Sequence, residues 1–312
     1  MIIFITGATG YLGTKLVEKI LSKNFTAVYL LVRNESRIPE SWKKTDVIKF
    51  ICGDITDFVI PDGIKIDVAV HLASYNKPDN ENYLKKINVQ GTKRVCDIVK
   101  KNNINKLIAL SSVSVLNGIK AKSNSFVYKN NFDYSAKDEY GKSKIEAEKI
   151  LLSYTDINKI IIRSAYICDA DNYFEIIKNR MRNLKFKFVA GAKNYYWHTA
   201  NPDLVSDLIT GLIFGKIDFE KEGKNIVKIA GDENPATVYE LYSRLALEAG
   251  VKKPVFVNPA ILKFLIFWNE LLVRFLPAEY RKKVNLKNNL IAFHNSNEKY
   301  EVDSEWIKKY IT

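Results

Sequence analysis

Met1-Ile-Ile-Phe-Ile-Thr-Gly-Ala-Thr-Gly-Tyr-Leu-Gly13 is the segment from which the fold of this chain can be predicted. Residues 2–5 are continuously apolar, as in a parallel strand that is buried on both faces. Three glycines follow at a spacing of three, and apolar side chains then recur at helical spacing over residues 12–21. The order of strand, glycine turn and helix predicts the first unit of a doubly wound, parallel α/β sheet.

The three glycines of this segment predict a binding site for a dinucleotide. Without side chains, the first two let the backbone turn tightly and approach a pyrophosphate, and the third lets the helix pack close to the strand. The unpaired N–H groups at the start of the helix attract the anion. A βα turn with a purely structural role is the alternative. The residues predicted to contact the cofactor here are Gly7, Thr9, Gly10, Tyr11, Leu12 and Gly13.

Composition argues against several classes of protein. Of the 312 residues, 47% are hydrophobic, as in a globular protein with a sizeable core. Cys52, Cys96 and Cys168 are far apart, which argues against a disulfide framework and a zinc site and fits the reducing cytoplasm. We expect neither a signal peptide nor a membrane-spanning helix. The formal net charge of +13 is spread along the chain, so we expect an anionic ligand and no nucleic acid.

Strands and helices alternate along the rest of the chain. Strands are predicted at residues 27–32, 47–52, 67–72, 106–110 and 225–230, and helices at 85–101, 173–182, 203–214 and 237–249. We predict a Rossmann-type, NAD(P)-binding core that consists mainly of residues 1–165. Residues 166–312 are predicted to be mixed, completing the sheet and forming a small C-terminal lobe that binds the substrate.

The residues after the second strand bear on the choice of dinucleotide. The end of this strand lies over the adenosine ribose in a dinucleotide-binding fold. An acidic residue there accepts hydrogen bonds from the ribose hydroxyls, whereas Arg33 offers a planar cation that suits a 2′-phosphate. We therefore predict NADP(H) in preference to NAD(H). Glu35, which a small backbone shift would return to the ribose, keeps NAD(H) open.

Two later strand ends carry further candidate cofactor ligands. The carboxylate of Asp54, after the third strand, can accept from the adenine amino group while Ile55 packs on the ring, and capping of a turn by Asp54 is the alternative. Small residues after the fourth strand let the dinucleotide pass close, whereas His71 is expected to be a packed strand residue rather than a base. The candidates at this end are Leu72, Ala73 and Ser74.

A tyrosine and a lysine at helical spacing are the candidates for proton transfer. Tyr140 and Lys144 are four residues apart at the start of a predicted helix and so share one face. A free phenol has a pKa of about 10, and a nearby ammonium favours the phenolate. We therefore expect Lys144, with an oxidised nicotinamide, to lower the pKa of Tyr140.

Hydroxyl and amide side chains are expected beside this pair. Ser111, Ser112 and Ser114 follow the fifth strand, at the edge where open α/β sheets bind ligands, although serines after a strand are common in ordinary turns. Asn88 interrupts the apolar face of the predicted helix 85–101. Because a buried amide needs partners, we expect Asn88 to brace the neighbouring active-site backbone.

Together these segments resemble the extended short-chain dehydrogenase/reductases, the NAD(P)-dependent epimerase/dehydratase-like group. The matching pieces, in order, are Gly7-Ala-Thr-Gly-Tyr-Leu-Gly13, His71-Leu-Ala-Ser74, Asn88, Ser111-Ser112 and Tyr140-Gly-Lys-Ser-Lys144. Residues 160–163 are similar to the family's sixth strand, and residues 198–203 to the segment before the helix that returns to the sheet. The resemblance covers essentially the whole chain.

The resemblance implies roles for individual residues. Ser112, Tyr140 and Lys144 would form the catalytic triad, and Asn88 would support Lys144 through water. Ser111 and the segment after the sixth strand, with Ser164 and Tyr166, would line the cofactor site, and Ser114, Tyr166 and His198 would contact the substrate. The family usually has proline where this chain has Ser164, and its usual loop glycine is present only as Asn117-Gly118. The family also implies a homodimer through helices near 85–101 and 139–153.

Residues 261–276 are unusually apolar, interrupted by Lys263, Glu270 and Arg274. Sixteen residues fall short of spanning a bilayer. We expect a helix of the substrate lobe whose apolar face joins the core or roofs an apolar pocket. A helix on the membrane surface is the alternative, favoured by Arg281-Lys282-Lys283. The segment is loosely similar to the steroid-dehydrogenase and dihydroflavonol-reductase-like branch.

The combined expectation is an NADP(H)-dependent oxidoreductase. It would interconvert a carbonyl and a secondary alcohol of a small, apolar substrate by hydride transfer, with Tyr140 as the acid or base. A nucleotide-sugar epimerase or dehydratase that holds NAD tightly is the second interpretation. A scaffold that binds a dinucleotide without catalysis is the third, against which the intact Ser/Tyr/Lys set argues.

Overall fold

A computed structural model describes residues 1–76, 80–119, 127, 129–130, 133–168, 173–184, 188–190, 193, 195–273, 275, 290–293 and 299–311. The strands are β1 (Ile2–Thr6), β2 (Ala27–Val32), β3 (Ile48–Cys52), β4 (Val68–His71), β5 (Lys106–Ser112), β6 (Lys159–Ser164), β7 (Tyr166–Ile167), β8 (Phe188–Ala190), β9 (Thr199–Ala200), β10 (Asn225–Ala230), β11 (Val255–Val257) and β12 (Leu290–Phe293). The α-helices are α1 (Tyr11–Leu21), α2 (Glu40–Lys43), α3 (Glu81–Leu84), α4 (Gly91–Lys101), α5 (Glu139–Ser153), α6 (Tyr173–Asn183), α7 (Pro202–Phe214), α8 (Phe219–Glu222), α9 (Val238–Glu248), α10 (Pro259–Val273) and α11 (Ser304–Lys308).

Seven parallel strands form the central sheet, in the order β10-β6-β5-β4-β1-β2-β3. Ile3, Phe4 and Ile5 of β1 are fully buried because helices cover both faces of the sheet. Helices α1 and α7 pack on one face, and α4 and α5 pack beside each other on the other. The predicted doubly wound α/β fold is confirmed.

The strand order reverses between β1 and β4, which are direct neighbours. From β1 the chain proceeds outward to β2 and β3, and from β4 it proceeds in the opposite direction to β5 and β6. A crevice opens outside the carboxyl ends of the strands at such a reversal. The glycine turn after β1 and the serines after β5 therefore border one crevice.

The second half of the chain contributes to both parts of the molecule. Strand β10, α7 and α11 join the central sheet and its helical layer, with Ile307 and Tyr310 buried there. Helices α6 and α9 pack together around Met181 and Tyr242. A three-stranded parallel sheet, β11-β8-β12, and the short pair β7-β9 complete the smaller lobe.

Three elements differ from their predicted form. The single helix predicted at 85–101 begins earlier, at Glu81, and passes through a π-helical stretch, Lys85–Gln90, before α4 begins. The fifth strand continues to Ser112, and β6 continues to Ser164, so these two serines pair across neighbouring strands. A proline at position 164 would lack a backbone N–H donor, whereas Ser164 keeps one for the hydrogen bonds between neighbouring strands.

The apolar helix α10 is placed differently from our first expectation. Leu262 is 2% exposed, but Phe264, Phe267 and Leu272 are each more than 60% exposed. The expectation of an apolar face joined to the core was therefore wrong for most of the helix. Arg274 and Leu276 lie outside the described residues. Among the helices described, none is long and apolar enough to span a membrane.

Candidate active site

The glycine turn is built from close backbone contacts that no other residue type permits. Gly7 has φ +77°, and a Cβ there would lie 2.6 Å from the backbone N of Ala73. A Cβ on Gly13 would lie 2.2 Å from the carbonyl oxygen of Gly7. The Gly10 N–H donates to that same oxygen at 3.0 Å. The turn therefore brings β1, the start of α1 and the segment after β4 into contact.

The start of α1 fits the pyrophosphate of a dinucleotide. Gly10 is the N-cap residue, and it has no side chain that could cap the first turn of the helix. Backbone N–H groups and the helix dipole at such a terminus attract an anion. Because the glycines of this turn have no side chains in the way, phosphate oxygens can approach its backbone closely.

A cavity of about 540 Å³ lies above this turn, at the carboxyl ends of the strands. The structure brings most of the predicted site residues to its wall. These residues are Gly7, Gly10, Tyr11, Leu12, Gly13, Leu72, Ser74, Ser111, Ser112, Ser114, Tyr140, Lys144, Ser164, Tyr166 and His198.

Six predicted site residues do not line the cavity. They are the adenosine-side candidates Arg33, Asp54 and Ile55, together with Thr9, Ala73 and Asn88. Arg33 is exposed at the end of β2. Partial burial would raise the pKa of Asp54, but hydrogen bonds from Thr56 and the charges of Lys86 and Arg33 outweigh it, so the pKa of Asp54 is lowered. The Thr56 N–H donates to Asp54 Oδ1 at 3.1 Å, so Asp54 caps the turn that we gave as the alternative.

The side chains of Ile55 and Ala73 pack against the core and do not line the cavity. Ile55 is 7% exposed, and a Cβ added to Gly91 would lie 2.9 Å from its side chain. The Ala73 N–H donates to Thr6 Oγ1 at 3.4 Å. Thr9 is partly exposed in the glycine turn.

Tyr140 is held by two serine hydroxyls. The side chains of Ser112 and Ser74, from the ends of β5 and β4, hydrogen bond to Tyr140. Burial raises the pKa of Tyr140, and these hydrogen bonds offset only part of that rise. We expected Lys144 and an oxidised nicotinamide together to lower this pKa. Within the chain alone burial outweighs the hydrogen bonds, and Lys144, whose ammonium lies 6.0 Å from the centre of the ring, is not among the charges that shift the pKa of Tyr140.

Lys144 is buried beneath Tyr140 on the same face of α5. Its Nζ donates to the carbonyl oxygen of Leu110 at 3.1 Å. Burial lowers the pKa of Lys144 to about 8, and the Glu148 carboxylate, one turn further on, opposes this shift. Lys144 is therefore a cation that gives up its proton more readily than an exposed lysine.

Asn88 lies in the π-helical stretch and clamps the backbone after β4. Its Oδ1 accepts from the Tyr75 N–H at 2.8 Å and from Ser74 Oγ at 3.1 Å, while its Nδ2 donates to the Tyr75 carbonyl at 2.9 Å. Nδ2 also donates to Ser143 Oγ at 2.9 Å. Asn88 therefore connects the segment after β4 to the residue that precedes Lys144, and π-bulges often occur at functional sites.

His71 is a packed, neutral residue within this arrangement. Thr92 donates to the Asn88 carbonyl at 2.6 Å, so its oxygen accepts from His71 Nε2 at 3.0 Å. Nδ1 of His71 then accepts from Thr6 at 2.8 Å. Burial lowers the pKa of His71 to about 3, which keeps the ring uncharged at neutral pH.

A buried ionic cluster beside the site did not emerge from the sequence. Glu148 is fully buried, and Arg163 Nη2 donates to its Oε2 at 2.7 Å. The hydroxyl of Ser111 donates to Oε1 at 2.5 Å, and that of Tyr134 donates to Oε2 at 2.8 Å. Ser111 therefore faces the core with its hydroxyl. The sequence signal for this cluster was the four-residue interval from Lys144 to Glu148, which places both side chains on one face of the helix.

Aromatic side chains from the second half of the chain line the same cavity. Tyr166 packs against Trp197 in a tilted arrangement with 5.8 Å between ring centres, and both line the cavity. His198 Nε2 accepts from the backbone N–H of Tyr300 at 3.1 Å, and Tyr300 also lines the cavity. Tyr300 stands in no recognisable sequence pattern, so it was missed.

Ser114 presents a buried hydroxyl at the cavity. Ser114 is 9% exposed, and its Oγ has no hydrogen-bond partner within the described part of the chain. Since a buried hydroxyl without a partner is costly, a polar ligand atom would satisfy it. Within that part of the chain, no group of three acidic, histidine or cysteine side chains could hold a metal ion.

Comparisons with known proteins point to one family. The sequence model described as the NAD dependent epimerase/dehydratase family matches residues 3–169. UDP-glucose 4-epimerase of Vibrio cholerae is 26% identical over 273 residues, 82% of this chain and 78% of that protein. The decarboxylating sterol-4-alpha-carboxylate 3-dehydrogenase of Homo sapiens is 24% identical over 271 residues, 82% of this chain and 68% of that protein.

A solved structure supports the fold. DesIV, the dTDP-glucose 4,6-dehydratase from Streptomyces venezuelae, was solved with NAD and TYD bound. It aligns with a TM-score of 0.72 at 14% identity, covering 100% of this chain and 91% of that chain. The similarity extends over the central sheet and the smaller lobe alike.

Proposed function

The chain belongs to the NAD-dependent epimerase/dehydratase family of extended short-chain dehydrogenase/reductases, and we propose that it is an NADP(H)-dependent oxidoreductase. It interconverts a carbonyl and a secondary alcohol of a small substrate with an apolar part. The observation that carries this proposal is the meeting of Ser112, Tyr140 and Lys144 at one cavity above the glycine turn.

Each of these side chains has a task in carbonyl reduction. When bound, a nicotinamide dinucleotide supplies the hydride. Tyr140 donates its phenolic proton to the substrate oxygen, and Ser112 hydrogen-bonds the same oxygen as negative charge develops there. Lys144 binds the nicotinamide ribose, and Asn88 holds the backbone around Ser74 in place.

Burial keeps Tyr140 protonated at neutral pH, as carbonyl reduction requires. A neutral phenol is the form that donates a proton, and burial favours that form. Alcohol oxidation requires the phenolate instead. Lowering a phenol pKa by two to three units takes roughly 3–4 kcal/mol, which only charges beyond those described around Tyr140 would supply.

The cavity wall supports a substrate of mixed polarity. Tyr166, Trp197 and Tyr300 offer aromatic surface to an apolar portion. Ser114 supplies a hydroxyl for a polar substrate atom, and His198 closes the same side of the cavity.

Arg33 supports NADP(H) over NAD(H). Its exposed guanidinium follows β2, close enough for its charge to lower the pKa of Asp54. Glu35, the acidic alternative, accepts a hydrogen bond from the Cys52 thiol at 3.1 Å. This contact directs the carboxylate toward β3, so Arg33 is the side chain that recognises a 2′-phosphate.

A second candidate is a nucleotide-sugar epimerase or dehydratase with a tightly held NAD. The similarity to UDP-glucose 4-epimerase over 82% of the chain favours it. Such an enzyme retains its dinucleotide through purification and needs none added. Denaturing the purified protein and measuring released NAD(H) by chromatography separates the two functions, since the proposed reductase releases less than stoichiometric amounts.

The proposed reaction is tested by following NADPH oxidation at 340 nm. The substrate panel comprises apolar ketones, such as alicyclic and steroid ketones, and UDP- and dTDP-linked 4-keto sugars. Turnover with apolar ketones and added NADPH is the expected result. Absence of NADPH oxidation with every ketone, together with redox-neutral epimerisation or dehydration of UDP- or dTDP-sugars without added dinucleotide, would establish the second candidate instead.

We also place the protein in the cytoplasm as a homodimer that associates through α4 and α5. These helices pack side by side on one face of the sheet and present their other sides outward. Light scattering after size-exclusion chromatography tests the assembly, with twice the chain mass as the expected result.

A further inference from the structure

Helix α10 exposes a large apolar surface. Phe264 and Phe267 are 62% and 63% exposed, and Leu272 is 63% exposed. The exposed apolar side chains of this helix and its C-terminal extension are Ile261, Phe264, Leu265, Phe267, Trp268, Leu271, Leu272 and Phe275. Scattered apolar residues are normal on a protein surface, but a contiguous group marks an interaction site.

These side chains form one continuous stripe along the helix. Ile261, Leu265, Trp268 and Leu272 recur at intervals of three and four residues, which places them on one face. On the opposite side Leu262 is buried, and Asn269 and Glu270 are only partly exposed. The helix is apolar on most of its surface, and its large aromatic side chains, Phe264, Phe267 and Trp268, are turned outward.

The sequence around the helix is basic. Residues 252–287 contain eight lysines and arginines but only two glutamates, a formal charge of +6 in the sequence, and five of these basic residues lie outside the described part of the chain. Among the described residues, Lys252 and Lys253 are exposed just before β11, and Lys263 is exposed on the helix itself. An apolar stripe with basic surroundings complements a bilayer with anionic headgroups.

We propose that the outward face of α10 docks on an anionic lipid bilayer. The helix has 15 residues, too few to cross the hydrocarbon core, so it lies in the interface with its aromatic side chains among the acyl chains. A second copy of this chain is disfavoured as the occupant, since two such basic regions would repel each other. The proposal concerns binding alone and does not rest on the proposed reaction.

The test is co-sedimentation with vesicles of phosphatidylcholine that contain about 30 mol% phosphatidylglycerol. The variant Phe264→Glu/Phe267→Glu introduces charge into the stripe. Leu247→Glu, at a position on α9 that is 81% exposed, is the matched control. Far-UV circular dichroism and thermal melting verify that all three proteins are folded.

We expect the wild type and Leu247→Glu to sediment with these vesicles, and the stripe variant to bind at least about tenfold more weakly. Vesicles of phosphatidylcholine alone, or about 0.5 M NaCl, should weaken wild-type binding because they remove the electrostatic attraction. Absence of wild-type binding to the anionic vesicles would overturn the proposal. So would equal binding of the stripe variant, or a halved molecular mass of that variant in light scattering, which would identify a second copy as the occupant.

Discussion

Arg33 is the side chain on which, in our proposal, the choice between NADP(H) and NAD(H) depends. Its exposed guanidinium stands where an acidic residue would contact the adenosine ribose. We predict that Arg33→Asp weakens NADPH binding about tenfold or more, because a charge-assisted pair with phosphate is replaced by repulsion. NADH binding should be unchanged or tighter. Isothermal titration with both dinucleotides measures the effect.

Lys23→Asp provides the control for this substitution. Lys23 is exposed just beyond the C-terminal end of α1, at the opposite edge of the sheet, and the substitution makes the same change in charge. It should leave both affinities unaltered. Equal weakening of NADPH binding by the two substitutions would show that overall charge, and not contact with Arg33, sets the preference.

Lys144 should make stability depend on pH. Its pKa is about 8 in the folded protein and 10.5 ordinarily, so the unfolded chain binds more protons between these values and stability rises with pH. We predict that the gain in unfolding free energy from pH 7 to 9 is smaller by about 1 kcal/mol in Lys144→Met than in the wild type. Urea denaturation at the two pH values measures it.

The interval from pH 7 to 9 isolates Lys144 because other groups either act outside it or contribute equally to both proteins. Burial raises the pKa of the Cys96 thiol to about 12, which reverses the trend above pH 9. Lys106, with a pKa lowered by burial to about 8, contributes equally to both proteins and cancels. An identical gain in both proteins would contradict the assigned burial of a charged Lys144, and Lys23→Met should behave as the wild type.

Among the single elements, the π-helical stretch 85–90 has the most readily tested effect on stability. It lies between α3 and α4 and turns Asn88 toward the backbone after β4. We predict that Asn88→Ala lowers the unfolding free energy by about 2–3 kcal/mol, because four hydrogen bonds are lost, two of them to the partly buried Tyr75 peptide groups. Urea denaturation measures the loss.

Asn102→Ala is the control in the same helical segment. Its Nδ2 makes one hydrogen bond, to the Ile98 carbonyl at 2.8 Å. This variant should lose less than about 1 kcal/mol. Equal losses in the two variants would mean that Asn88 is an ordinary helix residue rather than a brace.

Elements with strong local patterns were predictable, and those set by tertiary contacts were not. The buried strands and the glycine turn followed from continuous apolar runs and from Gly7, Gly10 and Gly13. The π-helical stretch could not be predicted in this way, because the side chain of Asn88 within it hydrogen-bonds residues distant in sequence, such as Ser143. The outward face of α10 could not be predicted either, since an apolar stripe has the same pattern whether it faces a core or solvent.

At the scale of the whole molecule, the reversal of strand order assembles the site. Ser74, Ser112 and Tyr140 are separated by 38 and 28 residues in the chain, yet the ends of β4 and β5 and the start of α5 bring them together. The order of the motifs predicted this meeting. The aromatic wall with Tyr300 did not follow from it, because loops from the C-terminal half form that wall without a shared pattern.

The measurement that bears most directly on the proposed chemistry is the turnover of Tyr140→Phe with a carbonyl compound that the wild type reduces. We predict that kcat falls by about 100-fold or more, because the proton donor is removed, while the affinity for NADPH changes little. Tyr29→Phe, a partly buried tyrosine of β2, should retain wild-type kcat. Full turnover by Tyr140→Phe would contradict the assignment of Tyr140 as the acid.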